Sequence, residues 1–170
     1  MKNIVLVGFM GSGKTTIAQM LAVKLGKTVF STDGMIVAQE ARPITDIFRD
    51  SGEPYFRRVE KEVVASVAQK TDAIVDCGGG VVLDPENISH LKKNGSVFYL
   101  AATPEVIYSR IKDQTHRPLL HTPDPLNRIR ELMDKRRAFY EQADYTIDTN
   151  DDNWPRICDE IVGIAMRKVN

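Results

Sequence analysis

Close to the N-terminus, eight consecutive residues carry a recognisable chemistry: Gly8-Phe9-Met10-Gly11-Ser12-Gly13-Lys14-Thr15. The pattern is G-x-x-x-x-G-K-[ST], which serves phosphate binding for a physical reason. Glycines let the backbone wrap closely around phosphate oxygens, because no Cβ intrudes. The loop amides, and the N-terminus of the helix that follows, then face negative charge. Lys14 is placed to reach the outer phosphates, and the Thr15 hydroxyl to bind Mg²⁺. Gly11, Ser12, Gly13 and Thr16 complete the expected cradle. This combination predicts a nucleoside triphosphate ligand, but says nothing of what accepts a phosphoryl group.

Four later segments could form the acceptor side. They are Phe30-Ser31-Thr32-Asp33, Phe56-Arg57-Arg58-Val59-Glu60, Gly78-Gly79-Gly80, and Arg117-Pro118-Leu119-Leu120 with Lys135-Arg136 beyond it. Each has a plainer alternative. Asp33 suits a helix N-cap, one of Arg57 and Arg58 suits a solvated helix face, and so does Arg136 beside Lys135 and Arg137. The triple glycine could be a simple strand exit. Cys77 reads as packing rather than as a nucleophile, and His116 and His121 as surface residues rather than a metal pair.

These residues need elements to hold them. Ile4–Val7 reads as a buried strand immediately before the phosphate motif, and Thr15–Leu25 as the helix after it, ended by Gly26. Further strands are expected at 28–31, 73–76, 97–100 and 145–148. Further helices are expected at 35–41, 53–70, 84–93 and 126–142, at 152–168, and after Thr103-Pro104, an N-cap with proline at the first position. Residues 113–125 hold three prolines and two histidines without periodicity. A loop of that length is expected to be a lid or binding segment. Alternating β and α elements imply one parallel sheet covered on both faces.

The chain as a whole sets bounds. Its 170 residues fit one domain, and its 42% hydrophobic content supports a core. Lys plus Arg and Asp plus Glu both number 23, so the formal net charge is zero, which argues against a nucleic-acid or anionic-membrane partner. Two cysteines, Cys77 and Cys158, and no CxxC motif suggest neither a disulfide scaffold nor a thiolate metal site, and fit a reducing, cytoplasmic setting. The N-terminal apolar run is too short for a signal segment, and no run is long enough to cross a bilayer.

In order and spacing, the phosphate loop, the Gly-Gly-Gly turn, Arg117-Pro118-Leu119-Leu120 and a closing Asp148-Thr149-Asn150 resemble the shikimate kinase family over nearly the whole chain. The resemblance implies a three-layer α/β P-loop kinase fold. This is a five-stranded parallel sheet flanked by helices, with an acceptor-binding segment at 34–70 and a mobile lid at 113–125. It implies transfer of the γ-phosphoryl group of ATP to the 3-hydroxyl of shikimate, with Mg²⁺, in a monomer. Carried over by position, Arg57 and Arg136 would hold the substrate carboxylate, a task that suits the planar guanidinium fork. Asp33 would hold ring hydroxyls and accept the proton of the attacking one. Glu60 would orient Arg57 or a neighbour, and Gly79 and Gly80 would offer backbone amides. Arg117 would offset charge on the transferring group, and Arg110 and Pro155 would flank the adenine.

The chain departs from this family pattern at two positions. The second strand ends Ser31-Thr32-Asp33 where the family usually has Asp-x-Asp, and Asp76 precedes the glycine turn where the family usually has a small residue. Adjacent parallel strands lie about 5 Å apart, so Asp76 is expected to supply the magnesium carboxylate that Ser31 lacks. An alternative is a buried Asp bonded to loop amides. Two other functions stay open: a kinase of another small hydroxylated acid such as gluconate, and a non-catalytic ATP-binding module. Ser31 favours the latter; Lys14, Asp33 and Arg117 weigh against it.

Overall fold

The computed structural model describes residues 2–114 and 122–167. Its centre is Asn3–Val7 (β1), buried at every position. A strand without a polar face must lie inside a sheet covered on both sides. Thr28–Ser31 (β2), Ala73–Asp76 (β3), Gly95–Ala101 (β4) and Tyr145–Asp148 (β5) join it in the order β2-β3-β1-β4-β5. All pairings are parallel.

The two-residue period of β1 divides the core. Ile4 and Leu6 point to one face, where they meet Ile17 and Leu21 of Lys14–Leu25 (α1) and Ile157 and Ile161 of Trp154–Arg167 (α7). Val5 and Val7 point to the other. There they meet Val64 and Val67 of Ile44–Val67 (α3), Ile88 and Leu91 of Pro85–Asn94 (α4), Ile107 of Pro104–Ile111 (α5) and Ile129 of Pro125–Tyr140 (α6). A smaller cluster joins Ile36 of Thr32–Glu40 (α2) to Ile47, Phe56, Val59 and Val63 of α3. The expected three-layer α/β fold is the one observed.

Three local expectations are corrected. Ser31, not Asp33, caps α2: the Gly34 amide donates to the Ser31 hydroxyl at 3.2 Å, and the helix begins at Thr32. Asp33 therefore sits in the first turn, with its carboxylate released from capping. α3 begins at Ile44 rather than Glu53. It breaks at Gly52, where φ is 80° and ψ 169°, two residues before Pro54, and this punctuation hid the first piece from a search for unbroken periodicity. At Asn94-Gly95, α4 runs directly into β4 without an intervening loop. Most of the expected lid, including Arg117, His116 and His121, lies outside the described residues; α6 resumes behind Asp124, whose side chain accepts from the Asn127 amide at 3.0 Å. Among the described residues, no helix is long and apolar enough to cross a membrane.

Parallel pairing brings strand ends to one edge, and register decides which side chains meet there. Asp76 is the partner of Leu6 on one side and of Ser31 on the other. The ends of β1, β2 and β3 thus converge where the phosphate motif starts, the crevice in which open α/β sheets bind ligands.

Candidate active site

The phosphate motif leaves β1 and turns through Gly11 (φ 78°) and Gly13 (φ 93°), left-handed conformations that a side chain would strain. Gly13 caps α1 without a side-chain hydrogen bond. The first amides of the helix are therefore left for an anion. Lys14 lies back across its own loop, its Nζ donating to the carbonyls of Gly8 at 2.9 Å and Phe9 at 3.0 Å. Beyond it opens a cleft of about 620 Å³, lined by Gly11, Gly13, Lys14, Thr15 and Thr16 on one side and Asp33, Asp76, Gly78 and Gly79 on the other. Ser12 is not on that wall. Its amide donates to the Phe9 carbonyl and its buried hydroxyl packs on Gly8, so it shapes the loop.

Two carboxylates enter the cleft, Asp76 from the end of β3 and Asp33 from the first turn of α2. Asp76 is buried, and its Oδ2 accepts from the Thr15 hydroxyl at 2.7 Å. Asp33 packs against Gly78, where a Cβ would collide with the carboxylate. Thr32 pins this approach by accepting from the Gly78 amide at 2.8 Å. Burial raises the Asp33 pKa; Lys14 pulls against that, the Asp76 charge adds to it, and Arg57 again opposes. A raised carboxylate beside a phosphate loop suits proton acceptance, since its basicity is greater than that of a free aspartate.

The arginines of α3 divide as only the structure can show. Arg57 turns to the glycine turn, where a Cβ at Gly80 would strike its guanidinium. Arg58 instead lies over the Tyr55 ring at 4.9 Å. Arg57 donates to Glu60 at 2.7 Å and to Glu53 at 3.1 Å. Burial works against its charge, yet these two carboxylates leave its pKa raised. Glu60 is itself raised, by burial first, with Arg57 opposing. The expectation that Glu60 orients Arg57 fits this geometry, and Glu53 adds a second brace that the sequence reading omitted. Arg136 comes from α6 and lies over the Phe9 ring of the phosphate loop at 5.9 Å.

At the other end of the cleft, Arg110 is tied down firmly. It donates to the Gly11 carbonyl at 3.1 Å, to Asp152 at 2.9 Å and to the Thr149 carbonyl. Pro155, expected beside it, faces away into a shallow groove with Met20, Val23 and Cys158. The residue lining the cleft there is Trp154, which lies against Gly13 with the Arg110 guanidinium 4.9 Å over its ring. Trp154 was missed; its being the one tryptophan of the chain, at the start of a helix, was the available signal. Cys77 is fully buried, with its thiol pKa pushed far up by burial and then by Asp76, which suits packing rather than nucleophilic attack.

Among the described residues, no cluster of three or more His, Cys, Asp or Glu forms a protein-only metal cage. The donor set is instead two hard oxygens, Thr15 Oγ1 and the Asp76 carboxylate, at the mouth of a phosphate loop. That composition fits Mg²⁺, which binds through one or two carboxylates together with substrate phosphates.

Three comparisons point to one family. Residues 10–165 match the shikimate kinase family. The shikimate kinase of Caldicellulosiruptor saccharolyticus is 44% identical, over 99% of this chain and 98% of its own length. That of Caldanaerobacter subterraneus subsp. tengcongensis is 43% identical, covering 95% of each. Among solved structures, the shikimate kinase from Acinetobacter baumannii in complex with shikimate superposes with a TM-score of 0.91 at 32% identity, covering 99% of this chain and 94% of that one.

Proposed function

The chain belongs to the shikimate kinase family, and from that premise we propose that it transfers the γ-phosphoryl group of ATP to the 3-hydroxyl of shikimate, giving shikimate 3-phosphate and ADP. The observation that carries this reading is the position of Asp33, a half-buried carboxylate lying against Gly78, its pKa raised by burial, with Lys14 and Arg57 close enough to oppose that shift. The 3-hydroxyl of the acceptor gives its proton to Asp33 as its oxygen attacks the γ-phosphorus, and the bond to the bridging β–γ oxygen breaks to leave ADP. Arg57 and Arg136 hold the acceptor carboxylate from two helices. The backbone of Gly79 and Gly80 borders the ring. Lys14 leaves its loop carbonyls for the outer phosphates, and the amides of Gly11, Gly13 and Thr16 line the phosphate path. Phosphoryl transfer depends mainly on positioning and charge stabilisation, so this cast is sufficient.

Thr15 and Asp76 would hold Mg²⁺, which when bound neutralises charge on the β- and γ-phosphates. Ser31 is committed to capping α2, so Asp76 is the carboxylate available beside Thr15. Arg117 belongs to the proposed lid at 113–125, and residues 34–70 to the acceptor-binding segment of a single kinase domain. A monomer in the cytoplasm is the matching setting; both cysteines are unpaired and buried.

The test is an ADP-release assay with ATP, Mg²⁺ and shikimate, quinate, gluconate or no acceptor. Turnover on shikimate above the others is the expected outcome. Turnover on gluconate alone would move the substrate to another hydroxylated acid. ATP binding without turnover on any acceptor would leave a non-catalytic module.

A further inference from the structure

Each residue of the glycine turn meets a side chain from elsewhere in the chain. Asp33 lies against Gly78 and Arg57 against Gly80. Gly79 is held by Tyr140, the last residue of α6, whose hydroxyl donates to the Gly79 carbonyl at 2.7 Å across 61 residues of sequence. The phenol is 1% exposed. Its ring stacks on Tyr99 of β4, with centroids 5.0 Å apart and planes within 6°. Ring and hydroxyl thus have separate partners, one in the sheet and one in the turn.

Tyr140 shares its helix face with Arg136, one turn earlier, because residues four apart lie above one another. The two are close enough to act on each other: burial pushes the Tyr140 phenol up to about 12, with the Arg136 guanidinium opposing. Arg136 itself reaches the Phe9 ring. The end of α6 is therefore in contact with the glycine turn through Tyr140 and with the phosphate loop through Arg136. Arg57, the other expected carboxylate holder, packs on the same turn one residue along. Among the described residues no direct contact joins the two arginines, whereas Tyr140, Gly79 and Gly80 form a path between them.

We propose that Tyr140 is a positioning residue for the acceptor: its bond to Gly79 ties α6, and with it Arg136, to the turn on which Arg57 rests, so that both guanidinium groups keep the spacing that one carboxylate requires. This rests on the reading that Arg136 and Arg57 hold the acceptor carboxylate. A bidentate clamp loses strength when its two arms are free to drift, even when both remain present.

The experiment compares wild type, Tyr140→Phe, Arg136→Lys and the double variant, with KM for shikimate, KM for ATP and kcat measured separately, and thermal unfolding in parallel. Tyr140→Phe keeps the ring and its stack on Tyr99 and removes only the hydroxyl. The expected result is a shikimate KM raised about tenfold, the scale of one buried hydrogen bond, with ATP KM and kcat within about twofold of wild type. Arg136→Lys raises shikimate KM as well, and the double variant rises by less than the product of the two, because both changes disable one arm. A merely structural role would lower Tm while leaving the shikimate KM alone, or would move both KM values together; either result overturns the proposal. So does a double variant whose effects multiply. If Arg136→Lys leaves shikimate KM unchanged, the carboxylate reading fails and the positioning role fails with it; if Arg136→Lys raises it and Tyr140→Phe does not, only the positioning role fails.

Discussion

The two halves of the cleft are built in opposite ways. The phosphate-binding part of the nucleotide half is one continuous stretch: Gly8–Thr15 turns between β1 and α1, and its groups are neighbours in sequence and in space. The acceptor half is assembled from the end of β2, a mid-helix position in α3, the glycine turn after β3 and the last turns of α6. A contiguous loop can be specified by its own backbone preferences, since glycines permit the turn and the helix N-terminus supplies the field. A dispersed site has no such local code. It depends on register, on which face of a helix turns inward, and on close approaches such as Asp33 to Gly78.

That contrast predicts which changes hurt and how. The largest loss is expected from Lys14→Met, about 10³-fold in kcat/KM for both substrates, the scale seen when a transition-state charge partner is removed; steady-state kinetics on ATP and shikimate check it. Asp33→Asn should cost about 10²-fold or more in kcat, within the range of general-base removal, while ATP affinity by titration calorimetry stays near wild type. The same variant should be more stable. A carboxyl with a raised folded pKa binds its proton more tightly folded than unfolded, so the fold loses stability as pH rises through the raised value. Asn, which never ionises, escapes this loss, and Tm at pH 7 should rise, as thermal unfolding would show. A Tm that falls instead would show that Asp33 supports the fold as well as the chemistry.

A smaller effect probes the boundary between the halves. In its proposed role Asp33 must be ionised to accept a proton, and its raised pKa would place the acid limb of kcat/KM above the ordinary aspartate value, about 3.9. Asp76 adds to that elevation. Asp76→Asn should therefore move the limb to lower pH, besides weakening the Mg²⁺ dependence of ATP binding. A limb that stays put would separate the two carboxylates electrostatically. The smallest effect belongs to the far end of the nucleotide half. Trp154→Ala should weaken ADP binding by about tenfold, in line with about 1–3 kcal/mol for base–aromatic stacking, and leave shikimate KM unchanged. Trp154 fluorescence in the wild type offers a direct readout, since no other tryptophan is present.

Much of this was legible beforehand, and unevenly. The strand and helix alternation, the phosphate loop and the sheet class follow from periodicity and glycine placement. Asp33, Arg57 and Arg136 were named as candidates, but so were plainer roles for each. Ser31 takes the cap that was the plainer role of Asp33, and Arg58 lies over Tyr55 while Arg57 turns to the glycine turn. Pro155 illustrates the opposite outcome. Adjacent residues at a helix start point in different directions, and the one facing the cleft was Trp154. The first piece of α3 escaped because Gly52 interrupts the pattern without ending the element.

What the sequence determined by itself was everything encoded within a few residues: a glycine-rich loop of the phosphate-binding pattern, strands apolar enough to be interior, and a chain of zero formal net charge. What only the tertiary structure decided was which distant groups meet. Parallel register put Asp76 beside both Leu6 and Ser31. Close approach then placed Asp33 and Arg57 on Gly78 and Gly80. The α6 helix brought Tyr140 to Gly79. The reason is physical. Local conformation is governed by each residue and its neighbours, whereas contacts across 61 residues are selected by the packing of two helical layers against one sheet.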